Sequence, residues 1–352
     1  MTPSTQSRKR GVAYALASAV LFGASAPLAK LLLRDAAPQF VAGLLYLGSG
    51  VGLAGTRLLR ERALREAPLR ARDIPWLSAA ILCGGVIAPV SLMHGLIRTD
   101  AATGSLLLNM EGVFTATIAW IVFRENVDRR VAAGMLSIVA GGVALSWSGA
   151  PSWNGASGPL LIAGACLFWA IDNNVTQKIS GGDPVQIAML KGLCAGAVNT
   201  VLALQSTTQL PKTAAIAGSL LLGFASYGVS LVLFVYALRF LGTARTGAYF
   251  SVAPFIGGVL AVVVFRERPT MGLVTGAALM AIGVWLHLTE RHEHEHRHEA
   301  LEHEHSHVHD EHHQHEHGPA DPSGEPHMHR HRHEPMIHSH PHYPDLHHRH
   351  SH

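Results

Sequence analysis

Glu111, Asp172 and Lys191 stand inside apolar stretches of this 352-residue sequence, where an ionised side chain is costly. Glu111 lies near the middle of the run TGSLLLNMEGVFTATIAWIVFRE, which extends from Thr103 to Glu125. Loss of water favours the protonated form of a carboxyl group, so Glu111 is a candidate proton carrier. The alternative is a structural carboxyl that is hydrogen-bonded to a neighbouring helix.

Asp172 and Lys191 lie in two consecutive apolar runs that we expect to be antiparallel. Asp172 lies about seven residues before the end of its run, and Lys191 lies about seven residues after the start of the next run. Both are therefore ~10 Å deep on the same side. An ion pair between them is therefore geometrically possible. A structural pair that joins two helices and a substrate-binding site both remain open. Polar residues that are candidates to line the same pathway are Asn109, Asn173, Asn174, Gln177 and Tyr249.

The elements that must position these residues are long apolar segments. Hydrophobic residues make up 48% of the sequence and charged residues only 14%, which indicates an integral membrane protein. The runs are continuous and do not alternate, so they predict membrane helices and exclude a barrel. Ten spans follow, at about 11–33, 38–56, 75–97, 101–123, 131–148, 159–179, 184–205, 214–238, 243–265 and 270–288.

Three prolines fall in the interior of these spans. A proline lacks a backbone N–H and frees a carbonyl one turn earlier, so each permits a kink in its helix. The expected kink positions are Pro27, Pro89 and Pro254.

The segment VFRE occurs twice, ending at Glu125 and at Glu267. In one register the flanking residues also agree, since Ala119, Val122, Gly134 and Gly141 fall on Ala261, Val264, Gly276 and Gly283. A single-residue gap extends the match to an upstream Thr-Gly pair. We interpret this as an internal duplication of five helices. Because five is odd, the second copy enters the membrane upside down, which predicts an inverted repeat with a site near the midplane.

Arginine and lysine residues concentrate in alternate loops, beginning with Arg8, Lys9 and Arg10 before the first span. The positive-inside rule then places both termini in the cytoplasm of what we expect to be a bacterial inner membrane. The domains predicted are a cytoplasmic N-terminus at 1–10, five-helix repeats at 11–148 and 159–288, and a tail at 291–352.

Two halves that each close on VFRE, together with the runs LFWAIDNNVTQKIS and KGLCAG, resemble EamA-type transporters of the drug/metabolite transporter superfamily. The resemblance implies ten helices, cytoplasmic termini and export or exchange of a small metabolite or drug-like compound, often with proton coupling. The family commonly has Glu-Pro in the middle of the fourth span. Here Glu111 is followed by Gly112, and the aligned pair in the second half is Ala253-Pro254, so the two repeats divide this motif.

No HExxH, Walker A or GxSxG motif occurs, so we expect no enzyme activity, no required cofactor and no nucleic-acid partner.

All 25 histidines except His94 and His287 lie in residues 292–352. This polar tail has no apolar period, which predicts disorder, and its imidazoles can bind nickel, cobalt or zinc weakly at several sites. A divalent-metal transporter or a metal-responsive membrane protein is therefore the alternative function. The candidate tail ligands are His292, His294, His296, His298, His303, His305, His307 and His309.

Overall fold

A computed structural model of the chain describes residues 5–59, 69–123, 129–147, 153–179, 183–206, 209–241, 243–289, 293–298, 301–307, 327–333 and 336–341. The described part up to residue 289 is helical, and its helices follow the apolar runs of the sequence. Nine of its helical stretches are long and apolar enough to cross a bilayer, and Ala253–Phe265 is a further, shorter apolar helix. That shorter helix belongs to the ninth predicted span.

The first repeat contains five spans, of which three are interrupted. Span 1 is Thr5–Gly23 and Ser25–Leu32, span 2 is Pro38–Leu59, span 3 is Ile74–Ala80, the π-helical turn Ile81–Ile87 and Ala88–Leu96, span 4 is Ala101–Leu107 and Met110–Phe123, and span 5 is Arg129–Ser146.

The second repeat also contains five spans, of which two are interrupted. Span 6 is Trp153–Thr176, span 7 is Pro184–Ser206, span 8 is Thr213–Gly223, the π-helical turn Phe224–Val229 and Ser230–Leu241, span 9 is Thr243–Phe250 and Ala253–Phe265, and span 10 is Met271–Leu288. Short 3-10 turns, Ala71–Asp73 and Gln177–Ile179, precede span 3 and follow span 6.

The irregularities of the helices repeat between the two halves. Spans 3 and 8 each contain a π-helical turn. Spans 4 and 9 each break at the same aligned position, between Leu107 and Met110 and between Phe250 and Ala253. Because distortions of a helix have local causes in its sequence, their recurrence supports the duplication inferred from the two VFRE segments.

The two repeats run in opposite directions. Span 2 packs against span 7, span 4 against span 9 and span 5 against span 10. Arg57 near the end of span 2 binds Asp183 just before span 7, with 2.6 Å between Nη1 and Oδ2. Glu267, after the end of span 9, accepts the N–H of Ala101 at the start of span 4 at 2.7 Å. Since each contact joins the end of one span to the start of its counterpart, the repeat is inverted.

Spans 2 and 7 approach closely at glycine positions on both helices. A Cβ added to Gly50 would lie 2.5 Å from the backbone nitrogen of Leu193, and one added to Gly192 would lie 2.7 Å from the nitrogen of Gly50. Glycine pairs of this kind let membrane helices meet backbone to backbone. This interface joins the two repeats along their length.

In the C-terminal tail the structure describes four short strands where the sequence predicts disorder. Glu293–His298 pairs with Met336–Pro341, and Leu301–His307 pairs with His327–His333, both antiparallel. The sequence reason is the alternation of histidine with glutamate or arginine, because a period of two is also the period of a strand. Six of the eight predicted tail ligands lie in the first two strands, whereas His292 and His309 lie outside the described residues.

Candidate functional site

The site begins with a carbonyl group that Pro89 leaves free. Proline has no N–H to donate to the carbonyl four or five residues earlier, and the π-helical turn Ile81–Ile87 directly precedes the segment that contains Pro89. The carbonyl oxygen of Gly84 instead accepts the Tyr46 hydroxyl at 2.6 Å and the Trp169 indole N–H at 3.0 Å. The carbonyl of Gly85 accepts the Asn199 amide at 3.1 Å. The π turn of span 3 therefore gathers side chains from spans 2, 6 and 7.

Asp172 and Lys191 form the ion pair that the sequence indicated. Their side chains are only 4% and 19% exposed, and the second carboxylate oxygen of Asp172 accepts the Thr176 hydroxyl at 3.0 Å. The carboxylate occupies the space that a side chain on Gly84 would need. The missing side chain in the π turn thus makes room for the ion pair.

Glu111 lies at the break of span 4, within the first turn of Met110–Phe123. Its Oε1 accepts the side-chain amide of Asn173 at 2.7 Å. Asn173 is exposed, and an added side chain on Gly112 would meet no described atom within 4 Å. Because an exposed amide is costly in lipid, this arrangement fits a wet cavity beside the half-buried Glu111.

The second repeat contributes aromatic rings to the same region. Tyr227 lies in the π turn of span 8, and its ring centroid is 5.6 Å from that of Tyr46 and 5.8 Å from that of Phe22. Glu111 lies within electrostatic reach of both tyrosines. The two π turns therefore face one cluster, which contains Tyr46, Trp169, Asp172, Lys191, Glu111, Asn173 and Tyr227.

The other predicted pathway residues lie elsewhere. Asn109 is buried, and its amide donates to the carbonyl of Leu106 at 2.9 Å, so it completes the break in span 4. Asn174 is also buried and donates to the carbonyl of Ala170 at 2.8 Å. Tyr249 packs beside a small apolar cluster between spans 1 and 8. Gln177 lies in the 3-10 turn after span 6, and its side chain is outside the described part.

The three prolines each follow an interruption. Ser25–Leu32, which contains Pro27, begins after the turn that ends the first helix of span 1. Pro89 and Pro254 are each the second residue of a helical segment. In the described residues the interruptions of spans 1, 3 and 9 thus lie beside a proline, whereas those of spans 4 and 8 do not.

Sequence reasoning missed several members of the site. Tyr46 and Gly84 carry no periodic signal that distinguishes them from packing residues. The buried Asp183, which pairs with Arg57, was also missed, although its position directly before Pro184 is typical of a helix cap: its Oδ1 accepts the N–H of Val185 at 2.9 Å.

A surface depression of about 480 Å³ lies against span 3, and none of the predicted pathway residues lines it. Among the residues that line it are Val86, Val90, His94 and Asn199. Within the part of the chain that the structure describes, no group of three or more His, Cys, Asp or Glu residues is arranged to hold a metal ion.

An inverted repeat of membrane helices around a buried charged cluster is the architecture of a polytopic membrane transporter. The family profile described as the EamA-like transporter family matches the chain twice, at residues 9–147 and 156–289. The chain belongs to the EamA-like transporter family.

Two curated relatives are named as a transporter and an exporter, and one solved structure shares the fold. An uncharacterized transporter of Methanothermobacter thermautotrophicus is 28% identical over 288 residues, which cover 77% of this chain and 84% of the relative. A probable terminal-alkyne amino-acid exporter of Streptantibioticus cattleyicolor is 25% identical over 251 residues, covering 67% and 84%. A crystal structure at 16% identity has a TM-score of 0.58 and covers 81% of this chain and 98% of its own, which shows a shared fold.

Proposed function

We propose that this membrane transporter exports a small metabolite with an amino group across the bacterial inner membrane in exchange for protons. The observation that carries the proposal is the Asp172–Lys191–Glu111 cluster, since ionisable groups inside a membrane mark substrate and ion pathways. The distribution of arginine and lysine supports cytoplasmic termini.

The charge balance of the cluster suggests the substrate class. Lys191 neutralises Asp172, whereas Glu111 has an uncharged partner, Asn173, and no ion pair of Glu111 is described. One further positive charge would complete the cluster, and either a proton or a substrate ammonium group can supply it. Because the proton and the substrate ammonium group compete for the Glu111 carboxylate, binding of one requires release of the other. This competition couples proton entry to substrate export. The aromatic rings of Tyr46, Trp169 and Tyr227 suit the attraction of a cation to an aromatic face.

The name of the Streptantibioticus cattleyicolor relative is consistent with this class, because an amino-acid exporter moves a molecule that carries an ammonium group. A drug-like amine meets the same requirement. The substrate is therefore sought among amines and amino acids first.

The first experiment compares the metabolites exported by cells with and without the protein. The identified compound is then tested in proteoliposomes with an imposed pH gradient. We expect wild-type flux to follow the gradient, and Glu111→Gln to retain normal yield while losing proton-driven flux. The matched control is Asp35→Asn, which removes an exposed carboxylate that pairs with Lys212 outside the cluster. Unchanged proton-driven flux in Glu111→Gln would remove Glu111 from the mechanism.

A second candidate role is metal response by the tail. The strand register places His303 opposite His331 and His305 opposite His329, an arrangement that suits nickel, cobalt or zinc. Deletion of residues 291–352 separates the two roles. Lost metal tolerance with intact metabolite flux assigns the tail a regulatory function, and loss of all metal flux would favour a metal transporter instead.

A further inference from the structure

Glu267, the last residue of the second VFRE segment, links the two repeats at one end of the bundle. We call this end, where span 9 finishes at Phe265, the Phe265 end, and the opposite one, where span 4 finishes at Phe123, the Phe123 end. The Glu267 carboxylate accepts two backbone N–H groups at the start of span 4: Oε1 is 2.7 Å from the nitrogen of Ala101, and Oε2 is 2.9 Å from that of Ala102. We name this the Glu267 contact.

The backbone before Glu267 is held in a costly conformation that aims the carboxylate. Arg266 has φ 53° and ψ 38°, in the left-handed region, and ends the helix Ala253–Phe265. Among the described residues it is the sole non-glycine residue with positive φ. Such a conformation persists only where surrounding contacts require it. The Glu267 contact is one such contact, because the sharp turn at Arg266 brings the next residue back toward span 4.

Below the Glu267 contact, spans 1, 4 and 9 close the Phe265 end. A Cβ added to Gly257 would lie 3.1 Å from Cβ of Ser105, and one added to Gly23 would lie 3.1 Å from the carbonyl carbon of Ala253. One added to Gly258 would lie 3.4 Å from Cγ of Leu106. Helices that leave little room for a methyl group also leave none for a substrate.

At the Phe123 end the corresponding segments are apart. Among the described residues, Ala101–Leu107 packs extensively against Ala253–Phe265, but little packing joins Met110–Phe123 to Thr243–Phe250. An added Cβ on Gly247 meets nothing within 4 Å. Among the described residues the repeat is therefore tightly closed at the Phe265 end and loosely packed at the Phe123 end.

We propose that Glu267 is a positioning residue of the transport cycle, whose contact with Ala101 and Ala102 holds the Phe265 end closed and must break for that end to open. The predicted orientation makes this the outer end, so the structure is inward-open. The inference rests on the proposed transport function only for its purpose in the cycle, because opening of this end can be measured without a substrate.

The test measures closure directly in a background that lacks Cys83, Cys166 and Cys194. The pair Leu106→Cys and Gly258→Cys is placed across the closed end, where an added Cβ on Gly258 would touch the side chain of Leu106. We expect the disulfide to form readily under oxidation in the otherwise unaltered chain. We also expect Leu106→Cys alone to react slowly with a membrane-impermeant maleimide added to the outer side.

Glu267→Gln removes the charge and one of the two acceptor oxygens. We expect labelling of Leu106→Cys to rise, and disulfide formation to slow, on the order of tenfold, the change expected when a charged hydrogen bond is lost. Glu267→Asp keeps the carboxylate and should restore part of the closure. The matched control is Asp35→Asn, an exposed carboxylate near the same end, which should leave both rates unchanged.

Equal labelling and equal cross-linking in Glu267→Gln and the unaltered chain would overturn the proposal. If Glu267→Gln does not fold, Glu267→Asp is tested instead, because its shorter side chain weakens the Glu267 contact. Labelling and cross-linking equal to those of the unaltered chain in Glu267→Asp would then contradict the proposal. A shift in labelling without metabolite flux would leave the role of Glu267 intact and reject the proposed function. Normal metabolite flux without a shift in labelling would reject the role of Glu267 and leave the proposed function intact.

Discussion

The ion pair of Asp172 and Lys191 is the feature whose cost most needs an explanation. Removing two charges from water costs several kcal/mol for each ion, and their attraction offsets this only with additional hydrogen bonds. Here Thr176 supplies one hydrogen bond to the Asp172 carboxylate. A buried ion pair is weak support for stability, and the proposed function gives this pair a role in transport instead.

Lys191→Met should leave Asp172 buried without its counter-ion and destabilise the protein by roughly 3–5 kcal/mol. Thermal unfolding in detergent checks this. Lys212→Met is the matched control, because Lys212 and its partner Asp35 are exposed and such pairs contribute little.

The exchanged pair, Asp172→Lys with Lys191→Asp, separates the two interpretations of these residues. Restored folding without restored transport indicates direct contact with substrate. If transport also returns, the pair is a structural link between spans 6 and 7, and the proposed charge balance loses one of its members.

Gly84→Ala should reduce both folding yield and transport, because the new methyl group would occupy the place of the Asp172 carboxylate. Yield in detergent and flux in vesicles measure the effect. Gly55→Ala is the matched control: an added Cβ there meets nothing within 4 Å, so we expect a neutral or slightly stabilising change. Full activity of Gly84→Ala would contradict the packing role given to Gly84.

Residue types and depths in the membrane were enough to find Asp172 and Lys191, because both lie at similar distances from one end of consecutive antiparallel helices. They were not enough to find Tyr46 or Gly84. The contact between these two depends on a displaced carbonyl group, and a distorted helix has no periodic signature in the sequence. The partner of Glu111 was in the predicted set, but its pairing with Asn173 depends on how spans 4 and 6 rotate.

Among the elements, span 3 shows how one proline organises a site. The sequence predicts a freed carbonyl and a kink at Pro89, whereas the structure has a full π-helical turn, Ile81–Ile87, directly before this segment. The turn exposes two carbonyl oxygens to donors from other spans. π-helical turns in α-helices are frequently associated with functional sites, and the aligned turn of span 8 carries Tyr227 into the same cluster.

Pro89→Ala restores an N–H that can bond to the carbonyl of Gly84 or Gly85 and so competes with Tyr46, Trp169 and Asn199. We expect the fold to persist, transport to fall and the fluorescence of Trp169 to change. The Trp169 signal is the difference in fluorescence between chains with Trp169 and the same chains carrying Trp169→Phe. Pro159→Ala is the matched control, because Pro159 lies inside the continuous helix of span 6. Unaltered fluorescence and flux in Pro89→Ala would show that the π turn does not depend on this proline.

The whole molecule follows the inverted repeat that the duplicated VFRE segment predicts. An odd number of spans per copy fixes the inversion, which is why topology was accessible from the sequence. The packing of span 1 on span 8 and of span 3 on span 6 completes the same two-fold pattern. Which end is closed could not be predicted, because both ends of such a repeat have the same helices and differ only in conformation.

Cysteines at Arg129 and Arg268 test the orientation of the whole molecule, since these exposed positions lie at the Phe123 and Phe265 ends. In intact cells we expect an impermeant maleimide to label Arg268→Cys, and to reach Arg129→Cys only after the membrane is opened. The opposite pattern would reverse the assignment of inner and outer ends. Labelling of both from one side would contradict the inverted repeat itself.

The glycine-lined interface of spans 2 and 7 has a mechanical consequence. Backbones already in contact cannot move closer, and separating them would open an empty space that neither lipid nor water can fill cheaply. These two helices therefore form a stiff strut between the halves, and we expect the change of access to involve the spans outside this pair. A bulky residue at Gly50 or Gly192 would force the strut apart, and transport would stop with every charged residue still in its place.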